Sequence, residues 1–136
     1  MNYATFGQRV LAQIIDLLWM VPMALILQVL LYGNAAFDPD LHARYGAELV
    51  SWTVPAVIII DLWIRYQATP GKIVMRIRIV DAATGGAPTV WQYVSRYAGY
   101  LISGLILGVG YLWVLFDERR QAWHDKIAGT VVVLAD

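Results

Sequence analysis

Two long apolar runs in this chain each contain an aspartate, and this combination constrains the fold more than any other feature. Residues 14–32 (IIDLLWMVPMALILQVLLY) contain Asp16, and residues 50–64 (VSWTVPAVIIIDLWI) contain Asp61. Runs of this kind are typical of membrane-crossing helices, which need about 20 predominantly apolar residues. An ionisable group inside such a run is costly. Each aspartate therefore predicts either a functional site or a specific ionic partner.

The composition agrees with a membrane protein of one domain. Hydrophobic residues make up 60% of the 136 residues, above the roughly 45–50% of soluble domains. Ten basic and ten acidic residues cancel, so we expect no nucleic-acid partner. Cysteine is absent, which excludes disulfides and cysteine nucleophiles. The first apolar run follows a single arginine and lacks a clean cleavage site, so we interpret it as a retained span.

The pattern predicts an all-α membrane protein with two transmembrane helices, a third apolar segment that is broken, re-entrant or spanning, and a small cytoplasmic β-hairpin cap. The predicted spans cover residues 12–32, 49–66 and 95–116. Thr5 with Gln8 three residues later indicates a capping box at the start of the first helix. Pro22 and Pro55 lie inside the first two spans, where membrane helices tolerate proline.

Residues 67–90 interrupt the apolar pattern. The segment QATPGK indicates a turn, KIVMRIRIVD alternates with arginines on one face, and ATGGAPT indicates a second turn. Alternation with a period of two predicts a strand. We therefore expect a cytoplasmic strand or hairpin at 72–90 and a C-terminal strand at 130–134 (TVVVL), which would pair with the strand around 73–80.

The basic residues predict the orientation in the membrane. Residues 65–96 carry five of them, whereas the loop at 33–48 carries one. The positive-inside rule places the middle loop and the N-terminus in the cytoplasm. We expect the membrane to be the plasma (bacterial inner) membrane. The C-terminal segment is also basic, and one complete third span would place it outside. We therefore favour a hairpin that turns at residues 108–110, with a full span as the alternative.

Asp16 is the strongest candidate site residue. Arg9 lies seven residues before it on the same helical face, which is about 10 Å along the axis. Because the two cannot readily touch, we expect Asp16 to meet a cation on a neighbouring element, with Arg96 and Arg119 as candidates. The functional hypothesis is a cation or proton site. The structural alternative is an ion pair that locks the helices together at the cytoplasmic boundary.

Two further charged motifs have simpler explanations. Asp61 and Arg65 are four residues apart, which permits a pair within one helix, and we favour a helix-end pair over an ion ligand. His124 and Asp125 are adjacent, but neighbours on a helix do not face each other, and no third ligand completes a metal site. We expect no catalytic or metal role there. Asp125 would instead cap the segment 127–130 or pair with an arginine.

Two short motifs remain open to interpretation. TPGK at 69–72 lacks the full glycine-rich pattern of a phosphate loop and is better explained as a tight turn. Gly104 and Gly108 form a G-x-x-x-G motif, which predicts a close helix–helix contact or a break at 108–110.

Together these motifs resemble the RDD family of small membrane proteins, named for one arginine and two aspartates. The three matching segments are RVLAQIIDLL at 9–18, TPGKIVMRIRIVDAATGG at 69–86 and RRQAWHDKIAGTVVV at 119–133. The resemblance implies a single RDD-like membrane domain over 1–136, with Arg9, Asp16 and Asp125 as the named residues. Asp61 matches no family motif, and Arg76 replaces a small glycine that usually precedes the strand.

Two hypotheses for the function follow. In the first, an oligomer transports monovalent cations or exchanges them for protons, as proposed for some members of the family, and Asp16 alternately holds a cation and a proton. In the second, the chain is a non-catalytic structural or adaptor subunit of a membrane complex. We expect no enzymatic activity and no cofactor. The expected partners are the lipid bilayer, a second copy or another membrane protein, and a monovalent cation or proton. The expected cytoplasmic ionic network consists of Arg9, Asp16, Asp125, Arg96 and Arg119.

Overall fold

The computed structural model describes residues 1–40, 47–106 and 108–135, apart from the side chains at 47–50, 52, 104 and 105. The described chain is mostly helical and contains a small two-stranded sheet. In chain order, its elements are α1 (Phe6–Tyr32), α2 (Ala47–Tyr66), α3 (Pro70–Val74), β1 (Ile77–Asp81), α4 (Val90–Leu105), α5 (Val109–Leu112), α6 (Trp123–Ala128) and β2 (Thr130–Leu134). Short 3-10 turns cover Gly33–Phe37 and Trp113–Leu115.

The first helix is capped as the sequence predicts. The Gln8 backbone N–H donates to Thr5 Oγ1 over 3.2 Å, and the Thr5 N–H donates to Gln8 Oε1 over 2.9 Å. Within the described residues, one stretch, Phe6–Phe37, is long and apolar enough to cross a membrane, with a mean hydropathy of 2.3. Its side chains are largely exposed in the isolated chain. The second and third spans stay predictions.

The segment predicted to be a strand from residue 72 begins as a helix. Residues 70–74 form α3 because Thr69 is extended (φ −92°, ψ 166°) and Pro70 occupies the first helical turn, where its fixed φ is favourable. Arg76 then adopts a positive φ of 54°, which ends the helical path. The strand therefore starts at Ile77, and the alternation in the preceding residues was a misleading signal.

The sheet pairs β1 with the C-terminal strand rather than within a local hairpin. β1 and β2 are antiparallel, with Ile77 opposite Leu134 and Asp81 opposite Thr130. Of the strand or hairpin predicted at 72–90, the strand therefore forms as β1, and its predicted pairing with residues 130–134 is confirmed. Asp81 explains the difference, because its carboxylate accepts from the Ala83 N–H at 2.7 Å and from Gln92 Nε2 at 2.9 Å. This turn directs the chain into α4 instead of a return strand.

The N-terminus is attached to the other side of β2. Tyr3 forms an isolated antiparallel bridge with Val133, and the Ala4 N–H donates to the Val132 carbonyl at 2.9 Å. The start of α1 is thereby held beside the C-terminal strand. This attachment brings Arg9 to the same end of the molecule as α6.

The third apolar segment is broken, as favoured from the sequence. α4 ends at Leu105, Gly108 takes a left-handed conformation with φ of 76°, and α5 follows. A Cβ at Gly110 would lie 2.4 Å from Ser103 Oγ, so α5 folds back directly onto α4. The packing predicted for Gly104 lies outside the side chains that the structure describes.

The core joins the helical region to the sheet. α4 and α6 pack closely, because a Cβ at Gly99 would lie 2.7 Å from His124 Cα. This approach places the His124–Asp125 pair against the middle of α4. The buried apolar cluster consists of Ala4, Ala12, Trp63, Ile77, Ile79, Tyr93 and Val132.

Candidate functional site

Asp16 holds the turn before α3 against α1. Its Oδ2 accepts from Thr69 Oγ1 at 2.5 Å, and its Oδ1 accepts from the Gly71 backbone N–H at 2.8 Å and from Trp19 Nε1 at 3.1 Å. The residue is 2% exposed. Three donors therefore occupy both oxygens of a buried carboxylate, as such a group requires.

The expected cationic partner of Asp16 is not present among the described residues. Arg96 and Arg119 were the candidates, and neither contacts Asp16: Arg96 bonds to Asp125, and Arg119 Nη2 donates to the Ala82 carbonyl at 2.7 Å. The physical reason is that neutral donors at the start of α3 already hydrogen-bond to the carboxylate. Arg119 accordingly lies outside the network predicted for it.

Gly71 permits the contact between α3 and α1. A Cβ at this position would lie 2.0 Å from the Ala12 carbonyl oxygen and 2.9 Å from Asp16 Cγ. Only glycine allows the Gly71 N–H to approach the carboxylate this closely. From the sequence, residues 69–72 were predicted to be only a tight turn. Their role as the partner of Asp16 was not predicted.

Asp125 lies between two arginines from different helices. Its Oδ1 pairs with Arg96 Nη1, and its Oδ2 pairs with Arg9 Nη1 at 2.7 Å. The same Oδ2 accepts the Ala122 backbone N–H at 2.9 Å at the start of α6. Asp125 is thus both a helix cap and the acceptor for two guanidinium groups that lie 29 and 116 residues away in the chain.

The charges around Asp125 keep it ionised. Its side chain is fully buried, and burial by itself would raise the pKa of the carboxyl. The positive charges of Arg96 and Arg9 outweigh that effect and hold the pKa of Asp125 well below its usual range. Removing either arginine would leave a buried charge poorly compensated, which is strongly destabilising.

Arg9 and Arg96 also bind groups other than Asp125. Arg9 Nη2 donates to the Arg120 carbonyl at 2.6 Å, at a residue with a positive φ of 50°. Arg96 Nη1 donates to Thr130 Oγ1 at 2.9 Å, which links α4 to β2. The two arginines therefore tie α1, α4, α6 and β2 together at one end of the fold.

Aromatic rings surround Arg96 and were not predicted as part of the site. Its guanidinium carbon lies 5.5 Å from the Trp63 ring centroid and 5.6 Å from that of Tyr100, within the range of cation–π attraction. Tyr100 in turn stacks on His124, with centroids 3.9 Å apart. The four-residue spacing of Arg96 and Tyr100 was the available sequence signal, because it places both on one face of α4.

His124 is a buried, neutral ring. Burial lowers the pKa of His124 well below its ordinary value, because desolvation disfavours the imidazolium. Its Nδ1 has no hydrogen-bond partner in the part of the chain that the structure describes. Across the described ranges, no group of three or more His, Asp and Glu side chains is placed to hold a metal ion.

Asp61 is remote from this network. It pairs with Arg65 Nε at 2.9 Å within α2, and both side chains are more than half exposed. The pair has the geometry of the predicted helix-end pair. The structure therefore brings together Arg9, Arg96 and Asp125, and it leaves Arg119 and Asp61 outside. Asp16 lies on α1 and is bound to α3.

A cavity of about 310 Å³ lies beside the network. Three cationic side chains line it: Arg9, Arg96 and Lys72. A second cavity of about 230 Å³ contains Asp16 and shares Lys72 and Tyr100 with the first. Lys72 was considered only as part of a turn in the sequence analysis, yet it is 5% exposed and lies between the two cavities.

Comparison with known proteins identifies several relatives, two of which are themselves uncharacterized. An uncharacterized protein of Rickettsia prowazekii is 38% identical over 74 residues, covering 54% of this chain and 40% of that protein. An uncharacterized protein of Bacillus subtilis is 33% identical over 69 residues, covering 51% and 44%. The proline-rich antigen of Mycobacterium leprae is 34% identical over 61 residues, covering 45% and 24%. The matches thus span less than half the length of each of these relatives. No solved structure matches the chain significantly.

The family comparison covers nearly the whole chain. The model of the RDD family matches residues 3–129, a range that contains Arg9, Asp16 and Asp125 together with their partners on α3 and α4. One arginine and one aspartate of the motif lie on α1, and the other aspartate lies on α6. The chain therefore belongs to the RDD family.

Proposed function

We propose that this chain is a non-catalytic membrane module that serves as a structural or adaptor subunit, and that its charged network fixes the geometry of the helices. The observation that carries the proposal is the occupancy of both family aspartates by donors from the protein itself. Asp16 accepts three hydrogen bonds, and Asp125 accepts from two guanidinium groups and a backbone N–H.

This occupancy weighs against cation exchange at either aspartate. A transported cation needs carboxylate oxygens with free lone pairs, and the three donors to Asp16 take three of the roughly four lone-pair positions of its carboxylate. At Asp125, a cation would also approach two arginines, and like charges at such distances repel. Cation transport and exchange for protons stay a hypothesis from the sequence, because few acceptor positions remain free at either aspartate.

The relatives support the idea of a module. The matched region makes up 24% of the Mycobacterium leprae antigen and 40% of the Rickettsia prowazekii protein, so similar segments occur inside longer chains. An apolar helix such as α1, whose side chains are largely exposed, suits an anchor in lipid. We propose that the chain lies in the bacterial inner membrane with its N-terminus in the cytoplasm, and that a second copy or another membrane protein covers part of its apolar surface.

The decisive substitution is Asp16→Asn, because it removes the charge and retains the contacts. The asparagine carbonyl can accept from Gly71 and Trp19, and its amide can donate to Thr69 Oγ1. Loss of charge assistance should lower the free energy of unfolding by about 1–3 kcal/mol without preventing folding. Asp61→Asn is the matched control, since it removes the same charge from an exposed pair on another helix.

The experiment is cation-driven proton flux in proteoliposomes that contain the purified protein or either variant, with thermal unfolding measured on the same samples. We expect wild type and both variants to show the flux of protein-free liposomes, and only Asp16→Asn to unfold at a lower temperature. Sodium- or potassium-dependent flux that Asp16→Asn abolishes and Asp61→Asn retains would overturn the proposal and establish an exchanger.

A further inference from the structure

We propose that the cavity lined by Arg9, Arg96 and Lys72 binds a phosphate group, carried by a lipid headgroup or as free phosphate, with Lys72 as its principal ligand. Lys72 is 5% exposed. Its ammonium group makes no hydrogen bond and no ion pair with any residue that the structure describes. A charge on a largely buried side chain without an acceptor is costly, so such charges are normally paired or bind a ligand.

Arg9 and Arg96 each have an N–H donor that no described residue accepts. Both place Nη1 on Asp125, but the Nε of each is buried and has no hydrogen-bond partner among the described residues. Arginine and lysine together are the common binders of phosphate oxygens. The cavity is thus lined by donors from α1, α3 and α4.

The charge balance around the cavity favours an anion. Three cations, Arg9, Arg96 and Lys72, face two carboxylates, Asp16 and Asp125, which leaves one positive charge in excess. His124, which also lines the cavity, adds no charge when it is neutral. Both carboxylates are already occupied by other donors. Lys72 therefore needs its counter-charge from outside the described chain.

The shape of the cavity admits a small acidic group with an apolar attachment. Its volume of about 310 Å³ is at the lower end of the range for small-molecule sites, roughly 300–1,000 Å³. The lining also includes the apolar side chains of Phe6, Val10 and Ile14 on α1. Val10 and Ile14 are 37% and 48% exposed on the outer surface of that helix. A headgroup could bind inside while its acyl chain follows α1.

The test uses the purified full chain in an uncharged detergent, titrated with inorganic phosphate, short-chain phosphatidic acid or short-chain phosphatidylcholine. Binding is followed by calorimetry and by the midpoint of thermal unfolding. We expect phosphatidic acid to bind and to raise the midpoint. A response to phosphatidic acid alone identifies a lipid headgroup, whereas an equal response to inorganic phosphate identifies the free ion; both support the site.

Lys72→Met is the diagnostic variant, and Lys126→Met is its control. Both remove one positive charge, but Lys126 lies near the surface and pairs with Asp117 at 2.6 Å. We expect Lys72→Met to weaken binding about tenfold or more, to raise the unfolding midpoint without ligand, and to leave the fold intact. Lys126→Met should bind like wild type, and Lys72→Arg should retain binding.

Three results would overturn the proposal. The first is the absence of binding by wild type for every titrant. The second is equal weakening by Lys72→Met and Lys126→Met, which would indicate only a nonspecific effect of net charge. The third is a lower unfolding midpoint for ligand-free Lys72→Met, which would show that the ammonium is already stabilised within the protein.

Discussion

Gly71→Ala tests whether the contact between α3 and Asp16 holds the fold together. The added Cβ would lie 2.0 Å from the Ala12 carbonyl oxygen, whereas ordinary contact requires roughly 3.5 Å. α3 would therefore have to move away from α1 by about 1.5 Å. Such a shift would stretch the 2.8 Å bond from the Gly71 N–H to Asp16 beyond the roughly 3.2 Å at which hydrogen bonds are normally found.

The expected cost combines two effects. Overpacking a close contact costs about 1–3 kcal/mol, and loss of a hydrogen bond to a buried carboxylate costs about 1.5–3 kcal/mol. The sum, about 3–6 kcal/mol, should lower the unfolding midpoint by about 10 °C or more. Gly71 has no positive φ, so alanine meets steric conflict alone and no backbone strain.

The assay is thermal unfolding of the detergent-solubilised protein, followed by tryptophan fluorescence. Trp19 donates to Asp16 and should report the displacement of α3 directly. Gly7→Ala is the matched control, because a Cβ there meets only Thr5 Oγ1 at 4.0 Å and alanine favours the helix. An unchanged midpoint for Gly71→Ala, or equal effects of the two substitutions, would refute the reasoning.

Two further predictions concern the network around Asp125. The pKa of His124 in the folded chain lies well below its unfolded value, so the unfolded chain binds the extra proton and stability falls as the pH drops below about 6.5, by up to about 1.4 kcal/mol per pH unit. His124→Phe should flatten the dependence of the unfolding midpoint between about pH 7.5 and 5.5; parallel profiles for the two proteins would contradict this. Arg96→Met should lower the free energy of unfolding by about 3–5 kcal/mol, because Asp125 loses one of two buried partners. Denaturation of Arg65→Met provides the comparison, since its pair is exposed and its loss should have little effect; similar losses for both arginine variants would show that burial does not determine the cost.

The local elements of the fold were largely readable from the sequence. The capping box at Thr5 and Gln8 formed as predicted, the third apolar segment broke at Gly108, and residues 130–134 became a strand beside β1. Each of these depends on neighbouring residues or on hydropathy along a short stretch. The error at residues 72–76 has the same origin, because a proline at the first helical position outweighed the alternation of apolar side chains.

The partners of the charged residues could not be predicted from neighbouring residues or from hydropathy. The sequence identified Arg9, Asp16 and Asp125 through their motif and suggested that Asp125 would cap or pair with an arginine. It assigned Asp16 to an arginine, whereas two of the three donors came from Thr69 and Gly71, 53 and 55 residues away, and the third came from Trp19 on the same helix. No residue near Asp16 in the sequence indicates which distant element will donate hydrogen bonds to its carboxylate.

The sequence by itself determined that this is an RDD-family chain with an apolar N-terminal helix, a broken third segment and a C-terminal strand, because these follow from residue order and hydropathy. The tertiary structure alone decided that neutral donors occupy Asp16, that Arg9 and Arg96 share Asp125, and that Lys72 lies buried beside them. The physical reason is that an ionic or hydrogen-bonded partner is fixed by distance in space. The attachment of the N-terminus to β2 and the close approach of α4 to α6 set those distances.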